Sequence, residues 1–432
     1  MANPIDTPSL YRLFMETTGV STDTRKIHKN CLYVALKGDT FDGNLFAAEA
    51  LDLGAKYAVV DDPNLANNRE EIIYVKDCLE ALQDLATHHR LELKTPILAL
   101  TGSNGKTTTK ELIHTVLAQK FRCIATSGNF NNHIGVPLTL LRLTKETEIG
   151  VVEMGANHQK EIAFLCEIAR PNFGYITNFG KAHLEGFGGI EGVIKGKSEL
   201  IDYIRNAQAM MFVDPKNKKQ LELTRDMSCI YLPQMQEQTR GNMPGETLKF
   251  TLEGRQLETQ LIGSYNTTNV LAAVAVGRYF KIEDTLIFEA IAEYVPKMNR
   301  SQLIKRGRYH IIMDAYNANP SSMAAALSDF GQITSQRNKC VILGDMFELG
   351  SSALTEHQNI VSALRSLPID QVYLVGEHFS ATTDHDDRFQ IFSHYKALED
   401  ALKNAPIAAT LLLVKGSRGM ALERLLDSVF DA

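Results

Sequence analysis

The sequence predicts a three-domain α/β protein. Its 432 residues match the length of about three ordinary domains, and a hydrophobic content of 44% suits a globular chain that buries sizeable cores. Short apolar runs alternate with helical patterns, an order typical of largely parallel sheets covered by helices. A polar stretch ends just before Pro96 and a new series of strands begins near Met298, so we expect domains at 1–95, 96–297 and 298–432.

The first domain is predicted to be a small α/β unit. Its strand-like runs cover 31–36, 56–60 and 72–75, and its helical patterns cover 46–53 and 79–89. Two polar segments, 21–25 and 37–43, contain hydroxyl, guanidinium and carboxylate groups that suit a phosphate or a sugar. Taken alone, both segments are more typical of plain turns.

The second domain is organised around residues 101–109, which read T-G-S-N-G-K-T-T-T. An apolar run at 97–100 precedes this segment and a helical pattern follows it, which indicates a strand, a glycine turn and a helix. In that setting backbone N–H groups surround phosphate oxygens, Lys106 supplies a positive charge and the Thr107 hydroxyl reaches Mg²⁺. Leu100 stands where the usual pattern has its first glycine, and this shortened form argues against generic GTPases and kinases. The alternative is a Gly-Lys turn that only caps a helix.

Further strands of the second domain are predicted at 97–101, 122–126, 149–153, 173–177 and 209–213, with a hairpin around Glu253-Gly254 on the edge of the sheet. The third domain shows strand-like runs at 309–313, 340–343, 372–375 and 410–414, alternating with helices. This order predicts a C-terminal Rossmann-like α/β domain. Because no G-x-G-x-x-G segment follows these strands, a dinucleotide site is poorly supported.

Composition excludes several classes of protein. The net charge of −6 argues against a general nucleic-acid surface, which needs clustered Lys and Arg. Six cysteines without C-x-x-C spacing indicate reduced thiols and a cytoplasmic location. The chain has no basic and apolar leader, and no run approaches the ~18 apolar residues of a membrane span, so we expect no membrane insertion.

Polar residues at predicted strand ends are the candidates for chemistry, because ligands of open α/β sheets bind at that edge. Glu153 ends one strand, His183 follows another, and three amides (Asn129, Asn131 and Asn132) share one short loop. Lys195 and Lys197 lie on a helical pattern. Each residue also has a plain interpretation: a solvated acid, a structural histidine, a turn or an exposed helix face.

Several segments carry selective patterns. They read G-N-F-N-N-H-I-G-V-P-L-T-L-L from Gly128, E-M-G-A from Glu153, A-H-L-E-G-F-G from Ala182, Y-N-A-N-P-S-S-M from Tyr316, L-G-D-M-F-E-L-G from Leu343 and V-K-G-S-R-G-M from Val414. With the phosphate loop, these segments resemble the Mur ligase family of ATP-dependent amide ligases in bacterial cell-wall synthesis. The resemblance runs through all three predicted domains.

The resemblance implies a specific reaction. The motifs are most similar to those of the members that join D-alanyl-D-alanine to UDP-N-acetylmuramoyl-tripeptide through an acyl phosphate, with ATP and Mg²⁺. It implies a UDP-binding first domain, an ATP-binding second domain and an acceptor-binding third domain that closes about a hinge at 296–300, in a protein expected to be a monomer. Alternatives are another Mur-type or folylpolyglutamate-type ligase, or a nucleotide-dependent switch.

The resemblance also implies residue roles. Catalysis would involve Lys106, His183 and Lys197, with Lys197 carbamylated by CO₂, and Mg²⁺ would be held by Thr107, Glu153, His183 and Lys197. The ATP site would comprise Gly102, Ser103, Asn104, Gly105, Lys106, Thr107, Thr108, Asn178, Asn266, Asn269, Arg300 and Asp314. The substrates would contact Asp23, Thr24, Arg25, Asn129, Asn131, Asn132, Asn317, Asn319, Lys415 and Arg418. Thr24 and Ala315 depart from the family pattern, and Tyr265 replaces a histidine.

Overall fold

A computed structural model describes residues 3–66, 69–235, 237–239, 247–296, 299–334 and 338–430. Three main sheets follow one another along the chain, and all but one pair of their neighbouring strands are parallel. The predicted α/β class is therefore confirmed. The domain limits at 95 and 297 remain a prediction.

The first sheet has the strand order β1-β2-β5-β6, and a small hairpin, β3-β4, stands beside it. The segment 37–43, predicted as a loop, is this hairpin. The strands are β1 Val20–Ser21, β2 Leu32–Val34, β3 Lys37–Gly38, β4 Phe41–Asp42, β5 Tyr57–Val60 and β6 Ile72–Tyr74, and the helices are α1 Thr7–Phe14, α2 Ala47–Asp52 and α3 Cys78–Leu93.

Helix α3 attaches this first unit to the second. Its buried His89 bonds through Nε2 to the Leu143 carbonyl at 2.9 Å. The buried Arg90 guanidinium donates to the carbonyls of Ala169 and Arg170, each at 3.2 Å, and to Asn172 Oδ1 at 2.8 Å. These bonds hold the first two units together from inside their interface.

The second sheet has six parallel strands in the order β12-β11-β10-β7-β9-β8. The middle strand, β7, is buried along its whole length, as a continuous apolar run in a covered parallel sheet requires. The strands are β7 Ile97–Thr101, β8 Cys123–Ala125, β9 Ile149–Glu153, β10 Phe173–Ile176, β11 Met210–Val213 and β12 Cys229–Tyr231. The helices that precede or follow these strands are α4 Lys106–Leu117, α5 Gly135–Leu140, α6 Glu161–Ala169, α7 Leu184–Phe187, α8 Ile190–Asn206 and α9 Lys218–Leu223.

The hairpin around Glu253-Gly254 is confirmed, but its predicted place on the edge of the parallel sheet is wrong. Strands β13 Glu237–Thr239, β14 Lys249–Leu252 and β15 Arg255–Glu258 form a separate antiparallel sheet. The apolar face of β14 and β15 packs into the same core as α10 Asn266–Tyr279 and α11 Asp284–Glu293. The position of this hairpin is therefore set by packing of its apolar face against the two helices, and not by hydrogen bonds to an edge strand of the parallel sheet.

The third sheet has the order β16-β17-β21-β18-β19-β20, and only β16 is antiparallel to its neighbour. Strands β16 and β20 are partly exposed and were missed by pattern reading. The strands are β16 Gln302–Arg306, β17 Tyr309–Asp314, β18 Lys339–Gly344, β19 Gln371–Val375, β20 Phe389–Phe392 and β21 Leu411–Lys415, and the helices are α12 Pro320–Gln332, α13 Ala353–Arg365, α14 Glu377–Ser380, α15 Tyr395–Asn404 and α16 Leu425–Ser428.

The connection into the third unit contains the hinge candidate 296–300. Residues 297 and 298 of this segment lie outside the described residues. Asn299 and Ser301, which flank Arg300, both have left-handed backbones, with φ of 54° and 50°. None of the described helices has the length and apolar character needed to cross a membrane.

We expect Arg90→Ala to lower the free energy of unfolding by about 2–4 kcal/mol, because the change removes three hydrogen bonds at a buried interface. Thermal denaturation measures this loss as a lower midpoint temperature of the first unfolding transition. The control is Arg69→Ala, which removes a surface ion pair to Asp52 and is expected to cost at most about 1 kcal/mol. Equal shifts for the two variants would contradict the interface role.

Candidate functional site

A cleft of about 1370 Å³ lies between the second and third units. Its walls come from the carboxyl ends of β7, β9 and β10 on one side and of β17, β18 and β21 on the other. Among the described residues, those that line the cleft begin at Ser103, so none of them belongs to the first domain. This is the edge where open α/β sheets bind ligands.

The phosphate loop between β7 and α4 requires its two glycines. Gly102 and Gly105 have φ of 141° and 78°, in the region that favours glycine. A Cβ on Gly102 would lie 2.0 Å from Thr177 Oγ1, and one on Gly105 would lie 2.6 Å from Asn269 Oδ1. The loop is therefore pressed against its neighbours, and a side chain at either glycine would displace it.

Lys106 begins α4 and turns back over the loop. Its Nζ donates to the Gly102 carbonyl at 2.7 Å and lies 3.4 Å from the Ser103 carbonyl. Burial lowers the pKa of Lys106, the nearby Arg300 acts in the same direction and Glu153 opposes both. Thr107 and Thr108 follow it, both buried. An ammonium group held by carbonyl oxygens is poised to exchange them for phosphate oxygens, which carry full negative charge.

Asparagine side chains brace the loop from behind. Asn178 Oδ1 accepts from the Asn104 N–H at 3.1 Å, and Asn178 Nδ2 donates to the Asn104 carbonyl at 3.0 Å. At the start of α10, Asn269 Oδ1 accepts from Thr109 Oγ1 at 3.0 Å, and Asn269 Nδ2 donates to Asn266 Oδ1 at 2.9 Å. These amides, predicted at the nucleotide, make bonds that set the shape of its cradle.

Glu153 ends β9 and is 1% exposed. Its Oε1 accepts from Asn131 Nδ2 at 2.8 Å, while Oε2 is buried without a hydrogen-bond partner. A buried carboxylate oxygen left unpaired by the protein suits a cation. Thr107 and His183 line the same cleft, and Mg²⁺ at phosphate sites uses only one or two carboxylates besides the phosphates. The donor set therefore fits Mg²⁺, although the described residues contain no cluster of three His, Cys, Asp or Glu side chains.

His183 meets the third unit. It has a left-handed backbone, with φ of 52°, and immediately precedes α7. Its Nδ1 lies 2.5 Å from Oε2 of Glu348, which follows β18, but this contact does not have hydrogen-bond geometry, so Nδ1 is a buried nitrogen without a hydrogen-bond partner. Glu348 was missed by residue-level reasoning, although it stands in the L-G-D-M-F-E-L-G segment, because no local pattern pairs two residues so far apart in sequence.

Lys197 and Lys195 lie on α8 but in different environments. Lys197 is 1% exposed, donates to the Ala156 carbonyl at 3.1 Å, and has its ammonium 5.0 Å from the centre of the Phe187 ring. Burial, and then the charge of Lys106, hold the pKa of Lys197 well below its usual value. Lys195 is exposed. The helix thus separates a solvated lysine from one that readily loses its proton.

The three asparagines of the loop after β8 have different environments. Asn131 holds Glu153, and Asn132 Oδ1 accepts from the N–H groups of Ile134 and Gly135 at 3.1 and 2.9 Å, at the start of α5. Asn129 is exposed. Two of the three predicted substrate amides are therefore bonded within the protein.

The third unit contributes a buried ion pair. Lys415 Nζ lies 2.5 Å from Asp314 Oδ2 and 3.4 Å from the Asn317 carbonyl, and the Ser301 N–H donates to Asp314 Oδ1 at 3.1 Å. Asn319 caps α12 and donates through Nδ2 to Asn104 Oδ1 at 2.7 Å. The phosphate loop thus touches the third unit directly.

Two cations flank one aromatic ring at the cleft. The guanidinium carbons of Arg300 and Arg418 lie 3.7 and 5.2 Å from the centre of the Tyr316 ring. Arg300 Nε is buried without a partner, and Arg418 is exposed. Tyr316 was not predicted as a site residue, although its stacking orients both guanidinium groups.

The predicted first-domain cluster lies apart from the cleft-lining residues. Asp23 caps the short 3₁₀ turn Thr24–Lys26 and pairs with Arg25 through two bonds of 2.9 and 2.8 Å. This pair lowers the pKa of Asp23 to about 2. Arg25 is 88% exposed at its side chain, so the structure leaves it accessible but does not bring it to the phosphate loop.

Family models match almost the whole chain. The Mur ligase family catalytic domain matches residues 16–90, the Mur ligase middle domain matches 100–277, and the Mur ligase glutamate ligase domain matches 299–418. The chain is also 34% identical to the UDP-N-acetylmuramoyl-tripeptide–D-alanyl-D-alanine ligase of Bacillus subtilis, over 96% of this chain and 93% of that one. This chain belongs to the Mur ligase family.

Solved structures agree with this assignment. The MurF crystal structure from Acinetobacter baumannii superposes with a TM-score of 0.87 at 28% identity and covers 100% of this chain and 99% of that one. The MurF ligase of Thermotoga maritima in complex with ADP has a TM-score of 0.83 at 24% identity, covers 96% and 97% of the two chains, and supports the fold alone. The predicted family and three-domain layout of this Mur ligase are confirmed.

For this Mur ligase we expect Lys106→Ala to leave a folded protein that binds ATP about 10- to 150-fold more weakly, since one charge-assisted contact contributes about 1.5–3 kcal/mol. Calorimetric titration with a non-hydrolysable ATP analogue measures the change. Lys195→Ala, a loss of the same charge at an exposed position, is the matched control. Normal affinity and turnover in Lys106→Ala would mean that the loop only caps α4.

Proposed function

We propose that this Mur ligase adds D-alanyl-D-alanine to UDP-N-acetylmuramoyl-tripeptide with ATP, in the synthesis of peptidoglycan precursors. One observation carries the proposal. A single cleft contains the phosphate loop, the unpaired Glu153 oxygen and the basic side chains Arg300, Lys415 and Arg418. Residues suited to a nucleotide and residues suited to an anionic acceptor therefore line the same cleft. The name of the Bacillus subtilis relative supports the same reaction.

The first step activates the terminal carboxylate of the tripeptide. A carboxylate oxygen attacks the γ-phosphorus of ATP, the bond to the β-phosphate oxygen breaks, and an acyl phosphate and ADP result. Lys106 places its charge beside the transferring group, and those backbone N–H groups of the loop that Asn178 does not occupy bind phosphate oxygens. Thr107, Glu153 and His183 would hold Mg²⁺, which would supply further positive charge to the phosphates.

The second step forms the amide. The free amine of D-alanyl-D-alanine attacks the acyl carbon, inorganic phosphate leaves and the amine loses a proton. Arg418, exposed on the third unit, is our anchor for the acceptor carboxylate. Lys415 pairs with Asp314, so its predicted part in holding the acceptor requires that this pair be shared, as does the predicted contact of Asp314 with the ribose.

Lys197 is proposed to react with CO₂. A neutral amine attacks the carbon of CO₂, an N–C bond forms and one proton is released, which leaves an anionic carbamate. Burial of Lys197 and the nearby charge of Lys106 favour the neutral amine. The carbamate oxygens are hard ligands of the kind that Mg²⁺ prefers. Repulsion between Lys197 and the metal site becomes attraction.

We expect turnover only when ATP, Mg²⁺, UDP-N-acetylmuramoyl-tripeptide and D-alanyl-D-alanine are present together. Phosphate release and product mass, measured across a matrix of UDP-muramyl di- and tripeptides and of amino acid and dipeptide acceptors, test this. Robust product from the dipeptide precursor and a free amino acid would instead assign another Mur-type ligase. Ligation of glutamate to a folate carboxyl would assign the folylpolyglutamate alternative. A monomer in the cytoplasm remains our expectation for the active form.

We expect Lys197→Ala to lose most activity, because it removes the group that carries the carbamate. Acetate or formate should restore part of that activity by replacing the lost carboxylate. Lys195→Ala, on the exposed face of the same helix, should neither lose activity nor respond to carboxylates. Full activity of Lys197→Ala in CO₂-depleted buffer, or an unmodified Lys197 amine in the protein under turnover conditions, would refute the carbamate.

A further inference from the structure

The turn after β18 docks on the turn that carries His183. Besides the contact between His183 Nδ1 and Glu348 Oε2, the Glu185 N–H donates to the Glu348 carbonyl at 3.2 Å. A Cβ on Gly350 would lie 3.2 Å from the Glu185 side chain, so the two turns are in direct contact. The two turns belong to different units, and the docked pair therefore forms only when the third unit is in place.

Buried anchors hold the Glu348 turn rigidly in the third unit. Asp345, 3% exposed, accepts from the N–H groups of His378 and Phe379 at 2.9 and 3.0 Å. The fully buried His357 accepts through Nε2 from the Met346 N–H at 3.0 Å. The Phe347 N–H donates to Ser417 Oγ at 2.9 Å. Each residue before Glu348 is thus fixed, and the carboxylate moves with the unit.

We propose that Glu348 is a positioning residue: its carboxylate, close to a His183 Nδ1 that has no hydrogen-bond partner, selects the Nδ1–H tautomer and so presents the Nε2 lone pair to the metal ion. The nitrogen that carries the proton is set by the partner of the ring, and a carboxylate partner selects Nδ1–H. The inference rests on the metal role of His183 in the proposed function. It adds that a residue of the third unit completes the metal site of the second.

Coupling between metal binding and docking follows. If docking of the third unit raises metal affinity through Glu348, metal binding must stabilise the docked arrangement by the same factor. The neighbouring bond from Asn319 Nδ2 to Asn104 Oδ1 brings the same unit to the phosphate loop. Two contacts thereby link the third unit to the nucleotide and metal sites. The contact of Asn319 reaches the phosphate loop, and the contact of Glu348 reaches His183.

The test is a titration of the full chain with Mn²⁺ in the presence of a non-hydrolysable ATP analogue. Electron paramagnetic resonance measures how much Mn²⁺ is bound. We expect Glu348→Ala to raise the Mn²⁺ dissociation constant about 10- to 100-fold, the range typical of lost partners of metal ligands. Glu348→Gln should give an intermediate loss of Mn²⁺ affinity, since an amide oxygen accepts a hydrogen bond but lacks the negative charge of a carboxylate. The Glu348 side chain is 51% exposed, so both changes spare the core.

The matched control is Glu356→Gln. Glu356 also reaches from the third unit to the same loop, where it pairs with Lys181 at 2.6 Å, but it does not contact His183. We expect its Mn²⁺ affinity to stay within about twofold of the wild type, a far smaller change than the loss of a metal ligand's partner produces. Equal weakening by Glu356→Gln and Glu348→Ala would overturn positioning in favour of general docking.

A second readout is the tautomer of His183 in the metal-free protein. Long-range ¹H–¹⁵N spectra should show the Nδ1–H form in the wild type and a mixture in Glu348→Ala. An unchanged tautomer, or wild-type Mn²⁺ affinity in Glu348→Ala while His183→Ala weakens binding, would overturn the inference alone. If His183→Ala binds Mn²⁺ as the wild type does, the metal role in the proposed function fails as well.

Discussion

Incompletely compensated charge at the nucleotide end of the cleft is the constraint on which the rest of this site depends. Lys106 is held by main-chain carbonyl oxygens, and one oxygen of the buried Glu153 has no protein partner. Dipoles of this kind offset only part of the cost of taking a charge out of water. In the proposed function, anionic phosphates and a divalent cation would complete this balance.

The parallel sheet makes this arrangement possible. Its strands end at one edge, where the phosphate loop, Glu153 and the His183 loop come from three neighbouring strands. The fully buried Lys110, one turn into α4, donates to the Thr126 carbonyl at 2.6 Å, and Thr126 Oγ1 accepts from the Glu153 N–H at 3.0 Å. The helix that begins with Lys106 therefore also positions the carboxylate on the adjacent strand.

The elements that pattern reading found are those with a strong local signal. The buried runs of β7, β9 and β18 and the glycine turn before Lys106 were predicted close to their observed limits. Strands β16 and β20 were missed because they alternate weakly and are half exposed. The hairpin at Glu253 was found but misplaced, since its position depends on a core shared with α10 and α11. Contacts between units, such as His183 with Glu348, leave no periodic trace in sequence.

Several asparagines predicted as ligand contacts make hydrogen bonds that support neighbouring residues of the site, and this has a physical meaning. Asn178, Asn269 and Asn319 direct their amides at the phosphate loop or its helix, and Asn131 directs its amide at Glu153. A motif read from sequence cannot separate a residue that touches a ligand from one that holds the residue that does. Bracing of this kind orders the loop during folding, so ligand binding does not bear that entropic cost. The amide-rich segments thus preorganise the phosphate loop and Glu153 through hydrogen bonds within the protein.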